Sequence, residues 1–172
     1  MKRLTFGLLT FSLALSLAPI ASADPPHQRH GHPADRPQTV DRNSFAVARS
    51  HVNHGAHPRS WWVAHYPHTR FILLGGGYYY WWGGYWYPAY GYDPAYSTYA
   101  YGEPIYGYNN YAPGRVIENV QAALRNQGFY RGTIDGLVGP ETRSALATFQ
   151  RSHGLVVTAA IDQPTLAALG LA

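Results

Sequence analysis

The chain has 172 residues, of which 46% are hydrophobic and 13% charged, with 18 glycines, 13 prolines and a formal net charge of +4. That length holds one ordinary domain, or a small domain with long appendages. The Gly and Pro content, with core-like periodicity confined to a short stretch, argues against a large single-core enzyme. The absence of cysteine excludes disulfides, a thiolate nucleophile and a Cys-ligated metal, and the absence of a basic cluster makes nucleic acid an unexpected partner.

At the N-terminus, Lys2 and Arg3 precede an apolar run from Leu4 to Ala18. Pro19 interrupts it, and Ala21-Ser22-Ala23 forms a small-x-small cleavage signal, so residues 1–23 are predicted to be a secretory signal peptide. Export to the periplasm, or to the cell wall and exterior, is the expectation. No later stretch is apolar enough to span a bilayer, so no transmembrane segment is expected after cleavage. Without Lys2 and Arg3, eleven arginines face nine acids, and the net charge is +2.

Residues 24–70 form a His/Pro/Arg-rich segment without sustained periodicity. It is predicted to be mostly disordered, with a short helical turn conceivable around Ser44 to Arg49. Residues 71–113 are low complexity in Tyr, Gly and Trp, and 13 of the chain's 15 tyrosines lie between Tyr78 and Tyr111. Arg70 to Leu74 has strand propensity. Tyr78 to Trp82 and Tyr85 to Tyr87 flank Gly83-Gly84, a two-residue turn that suits a β-hairpin. Beyond Pro88 the Tyr, Gly and Pro pattern reads as irregular or extended chain. An extended spacer, a small β unit and a carbohydrate-stacking platform all remain open for this segment.

Residues 114–172 read as a small all-α domain of three helices. Ile117, Val120 and Leu124 fall on one helical face, and Gly128 suits the residue just past that helix. After a loop from Phe129 to Gly139, Pro140 suits a first helical position, and Thr142, Ala145, Leu146 and Phe149 repeat the helical spacing. Gly154 ends the second helix, and Asp162 caps a short third with Pro164 in its first turn. The expected core also takes in Ile134, Val138, Leu155, Ile161, Leu166 and Leu169.

The run Val120-Gln121-Ala122-Ala123-Leu124, then Gly128-Phe129-Tyr130-Arg131-Gly132, Ile134-Asp135-Gly136-Leu137-Val138-Gly139-Pro140 and Thr142, resembles the peptidoglycan-binding domain of the three-helix type. The similarity continues through Ala145-Leu146, Phe149-Gln150, Gly154-Leu155, Val157-Thr158, Ile161-Asp162 and Thr165-Leu166. Ala159 departs from the pattern, since the family commonly has Gly there, and a positive φ at that position would strain it. The resemblance implies a non-catalytic domain that binds cell-wall peptidoglycan, with no cofactor.

The residues themselves offer no catalytic constellation. Asp24, Asp35, Asp41, Asp93 and Glu103 are the carboxylates outside the C-terminal domain, all in segments read as loose chain, and Gly-x-Ser-x-Gly is absent. Eight of nine histidines lie between His27 and His68, with His51, His54 and His57 spaced by three. A solvated tail is the first reading of them, and an exported metal-binding protein is a weaker alternative function. A further alternative is an envelope protein whose small domain binds a protein partner while the Tyr-rich part self-associates. A peptidoglycan site should combine an aromatic ring with amide and guanidinium donors. The expected ligand-binding residues are Gln121, Tyr130, Arg131, Arg143 and Gln150.

Overall fold

Two short helices open the structure, a computed structural model that describes residues 44–172. The predicted signal peptide and residues 24–43 lie outside the described residues. Helix α1 (Phe45–Ser50) is capped by Ser44, whose Oγ accepts from Val47 N–H at 3.4 Å. Helix α2 (Arg59–His65) follows Pro58 and buries Trp62. The helical turn expected around Ser44 to Arg49 is helix α1, and the expectation of disorder over 24–70 is corrected for residues 51–70. These helices have six and seven residues, too few to persist alone. They are held from outside: Trp62 Nε1 donates to the Tyr90 carbonyl at 3.0 Å, and its ring packs on Tyr66 and Tyr80.

The Tyr-rich segment is a four-stranded antiparallel sheet in the order β1 (Phe71–Leu74), β2 (Gly77–Trp82), β3 (Tyr85–Pro88), β4 (Ile105–Tyr106). The expected hairpin at Gly83-Gly84 is one of two such reversals within it. Trp82 pairs with Tyr85 across Gly83-Gly84, and Leu74 pairs with Gly77 across Gly75-Gly76. All four turn glycines have positive φ, the requirement of the turn that matches strand twist. Side chains alternate between two cores. Tyr79, Trp81, Trp86 and Ile105 join the core of the C-terminal helices, while Tyr78, Tyr80, Tyr85 and Tyr87 pack with Ala48, Val52 and Trp62.

The chain between β3 and β4 is held by polar ends of buried rings. Tyr99 Oη donates to the Ala89 carbonyl at 2.7 Å, and Tyr79 Oη donates to the Tyr101 carbonyl. Arg49 of α1 reaches Glu103 in the same stretch at 3.0 Å. Burial pushes the Tyr87 and Tyr99 hydroxyls up to about 12, and those of Tyr79, Tyr80 and Tyr101 higher still.

Three helices complete the fold: α3 (Pro113–Asn126), α4 (Pro140–Ser152) and α5 (Gln163–Ala168). Pro140 occupies the first turn of α4, Gly128 and Gly154 follow α3 and α4 with positive φ, and Asp162 caps α5 by accepting from Thr165 N–H at 3.0 Å. Val116, Ile117, Val120, Leu124, Leu146, Phe149, Ile161 and Leu166 are buried with the sheet's Tyr79, Trp86 and Ile105. Ile134, expected in this core, is 37% exposed, and Tyr130 is buried in it. Tyr106 N–H donates to the Ile161 carbonyl at 2.9 Å, and Trp86 Nε1 donates to the Tyr111 carbonyl at 3.2 Å, so the sheet and the helices are also joined by hydrogen bonds.

Two outcomes follow from this shared core. Trp86→Ala should cost about 3–5 kcal/mol and lower the midpoints of the aromatic near-UV and helical far-UV signals together. Separate midpoints would show two independent cores. At high pH the buried hydroxyls set the direction. Their folded values are raised above the ordinary 10.0, so the stabilisation is complete below about pH 10 and is lost as pH rises, because the unfolded chain ionises first. Tyrosinate absorbance and loss of the fold should therefore appear in one alkaline transition.

Candidate functional site

Two glutamines expected to face a ligand are fully buried instead. Gln121 of α3 accepts at Oε1 from Asp135 and Gly136 N–H groups, both at 3.0 Å, and donates from Nε2 to Asp135 Oδ1 at 2.8 Å and the Leu137 carbonyl at 3.0 Å. Gln150 of α4 accepts from Ala159 N–H at 2.8 Å and donates to Thr158 Oγ1 and Thr165 Oγ1, each at 2.9 Å. Their amides are used up in closing loops, and both residues are corrected from ligand donors to interior clamps. The spacing carried a signal for this: Gln121 is four residues past Ile117 and Gln150 four past Leu146, within the apolar stripes. The Gln121 amide and Leu137 N–H hold the Asp135 carboxyl below its ordinary range.

The loop that Gln121 closes forms one wall of an open groove of about 930 Å³ between residues 129–134 and α4. Glu141, Ser144, Ala145 and Thr148 line it from α4 at the i, i+3, i+4, i+7 spacing of one helical face. Phe129, Tyr130, Arg131, Thr133 and Ile134 line it from the loop, and Arg125 from the end of α3. Tyr130 is only 5% exposed, and its hydroxyl donates to the Thr133 carbonyl at 2.6 Å. Arg125 donates to the Gly132 carbonyl and lies 5.9 Å over the Tyr130 ring. Gly132 has no room for a side chain, since the Glu141 carboxylate and the Tyr130 hydroxyl fill the place of a Cβ. A second depression, of about 510 Å³, shares Tyr130, Thr133 and Glu141 with the groove and continues past Asp135 toward Ala100.

Of the five expected site residues, Tyr130 and Arg131 come together in the groove. Arg143 does not line it: two positions from Glu141 on α4, it points to another face, with its charge acting on Tyr101. Arg125, Glu141, Ser144 and Thr148 were missed by sequence reasoning, and the polar stripe along α4 was the available signal. The three evenly spaced histidines separate onto different rings. His51 meets Trp82 edge-on at 4.9 Å, His54 stacks near Tyr90 at 6.4 Å, and His57 stacks on Trp61 at 3.7 Å. Among the described residues no three His, Asp or Glu side chains stand together to hold a metal ion.

Residues 113–169 match the model of the family described as "Putative peptidoglycan binding domain". That match spans helices α3–α5 and the loop that lines the groove, about a third of the chain. The chain is 35% identical over 69 residues to "N-acetylmuramoyl-L-alanine amidase CwlM" of Mycobacterium tuberculosis (strain ATCC 25618 / H37Rv), a match that covers 40% of this chain and 15% of that protein. It is 42% identical over 52 residues to "Putative OxPP cycle protein OpcA" of Nostoc punctiforme (strain ATCC 29133 / PCC 73102), covering 30% of this chain and 11% of that protein. The chain thus spans well under a fifth of the length of either relative. No solved structure matches.

The clamp at Gln150 carries a strain that can be measured. Ala159 has a φ of 53°, the left-handed region that the sequence comparison with the family pattern raised as a concern. Ala159→Gly should stabilise the protein by about 1 kcal/mol, whereas Gln150→Leu, which orphans buried groups at residues 159 and 160, should cost about 1–3 kcal/mol. Denaturant midpoints decide both, and an unchanged midpoint for Ala159→Gly would show that the loop holds no strain.

Proposed function

We propose that this chain is an exported, non-catalytic protein that binds cell-wall peptidoglycan through the groove between residues 129–134 and α4. The observation that carries this reading is the family match over 113–169 together with an open groove on the helical side of the fold. A polymer needs a continuous surface, and two adjoining depressions sharing Tyr130, Thr133 and Glu141 supply one. Export is supported by the sequence pattern of residues 1–23.

The non-catalytic part of this reading rests on the match being to a binding domain; among the described residues most carboxylates also have partners within the fold. Glu103 and Glu118 pair with Arg49 and Arg115, Asp93 accepts from Ala95 N–H, and Asp135 and Asp162 accept from their own loops. Among the described residues Glu141 alone of the carboxylate side chains has no hydrogen-bond or ion-pair partner. The self-association reading loses support, because six of the 13 tyrosines between Tyr78 and Tyr111 are buried (Tyr79, Tyr80, Tyr85, Tyr87, Tyr92 and Tyr101) and two, Tyr96 and Tyr111, are exposed.

Co-sedimentation of the protein with purified sacculi tests the reading. The parent should pellet with the sacculi, Arg131→Glu should lose about tenfold or more in affinity, and Arg143→Glu, off the groove, should bind as the parent does. A parent that stays in the supernatant overturns peptidoglycan binding. Equal binding by the parent and Arg131→Glu moves the site elsewhere on the domain.

A further inference from the structure

The groove's chemistry points to one part of the polymer, an inference that rests on the peptidoglycan reading above. Sugar rings are held by exposed aromatic faces, and this groove has little to offer them. The Tyr130 ring is buried, with the Arg125 guanidinium over it. Phe129 is half-buried, edge-on to Phe149 at 5.4 Å and tilted against His153 at 5.9 Å. The aromatic surface is thus largely engaged before any ligand arrives.

What remains free is charge. Arg131 and Glu141 are both exposed and both line the groove, and among the described residues neither makes a hydrogen bond or an ion pair, even with the other. The Glu141 carboxylate lies beside Gly132, the residue after Arg131, in the space a Cβ there would take. Arg125 is anchored on the Gly132 carbonyl, whereas Arg131 has no such anchor. A cation and an anion that border one groove without joining present a matched but unfilled pair. The geometry points to a ligand with both opposite charges: the end of a peptide stem that carries a free ammonium and a free carboxylate. The carboxylate would take the Arg131 guanidinium, a bidentate donor, and the ammonium would take Glu141. On this assignment the domain reads the peptide of the wall polymer and not its glycan.

Binding measured by calorimetry with soluble fragments separates the possibilities. The probes are a disaccharide tetrapeptide with its amine and carboxylates free, the same fragment N-acetylated at the amine, the same fragment amidated at its carboxylates, and the bare disaccharide. The free fragment should bind, and each blocked fragment should be weaker by about tenfold or more, the loss of one charge-assisted contact. Glu141→Gln should weaken binding of the free fragment and remove the discrimination against acetylation, while keeping that against amidation. Arg131→Gln should do the reverse. The Gly132→Ala variant, which displaces the Glu141 carboxylate, should behave like Glu141→Gln in this respect, provided its thermal midpoint shows it folded. Bare disaccharide bound as tightly as the free fragment would overturn the peptide assignment and leave peptidoglycan binding standing. Failure of the parent to bind both the fragments and intact sacculi would overturn both.

Discussion

A sheet packed on both of its faces is the constraint on which the rest of the molecule depends. Tyr79, Trp81 and Trp86 enter the core beneath α3–α5, and Tyr80, Tyr85 and Tyr87 enter the core beneath α1 and α2. Neither face can be left wet, because each large ring exposed to water forfeits about 1.5–3 kcal/mol of burial. The short helices α1 and α2 are thus required by the sheet as much as they are stabilised by it. The same demand explains the many tyrosines. A sheet this narrow needs broad side chains to fill two cores, and a phenol carries a hydroxyl that can bond a loop carbonyl, as Tyr79 and Tyr99 do.

Within the helical part, one device is used twice. Gln121 reaches from α3 to the loop at Asp135-Gly136, and Gln150 reaches from α4 to the loop at Thr158-Ala159. Each amide oxygen accepts a backbone N–H from a residue with positive φ, 72° at Gly136 and 53° at Ala159. Each amide nitrogen donates to the side chain one position earlier, and each clamp stands beside a buried threonine in the first turn of the next helix, Thr142 or Thr165. A fully satisfied buried amide fixes a loop that has little apolar surface of its own. The difference between the two copies, glycine in one and alanine in the other, locates the strained loop without appeal to any outside structure.

These two features also mark what could be read from the sequence. Helix ends were legible because their determinants are local. Pro140 can start a helix, Gly128 can leave one and Asp162 can cap one wherever the rest of the chain lies. The Gly83-Gly84 reversal was legible for the same reason. The sheet as a whole was not. Alternation announces a strand only when one face is polar, and here both faces are aromatic, so the segment looks like low complexity. Beyond the turn expected around Ser44 to Arg49, the order up to residue 70 was hidden too, since the short apolar run Trp61-Trp62-Val63-Ala64 has no partner in its own segment until Tyr80 and Tyr90 are brought against Trp62. Of the residues expected to bind, Tyr130 and Arg131 line the groove. Glu141 was not among them, because its lack of a partner is a property of three-dimensional packing that a sequence does not display.

The sheet and the groove fit together as a division of labour. The sheet packs against the side of the C-terminal domain that presents Val116, Ile117 and Val120, where apolar contact suffices. It leaves open the side formed by residues 129–134 and the polar stripe of α4. Had the aromatic segment covered that second side, Arg131 and Glu141 would have been desolvated without partners, and a buried unpaired charge costs several kcal/mol. The charged groove thus directs where the sheet can dock, and the docked sheet in turn leaves the groove facing outward. The charged face and the apolar face of the helices are separated by the elementary penalty for burying charge, and the helices gain a larger core while the groove stays open.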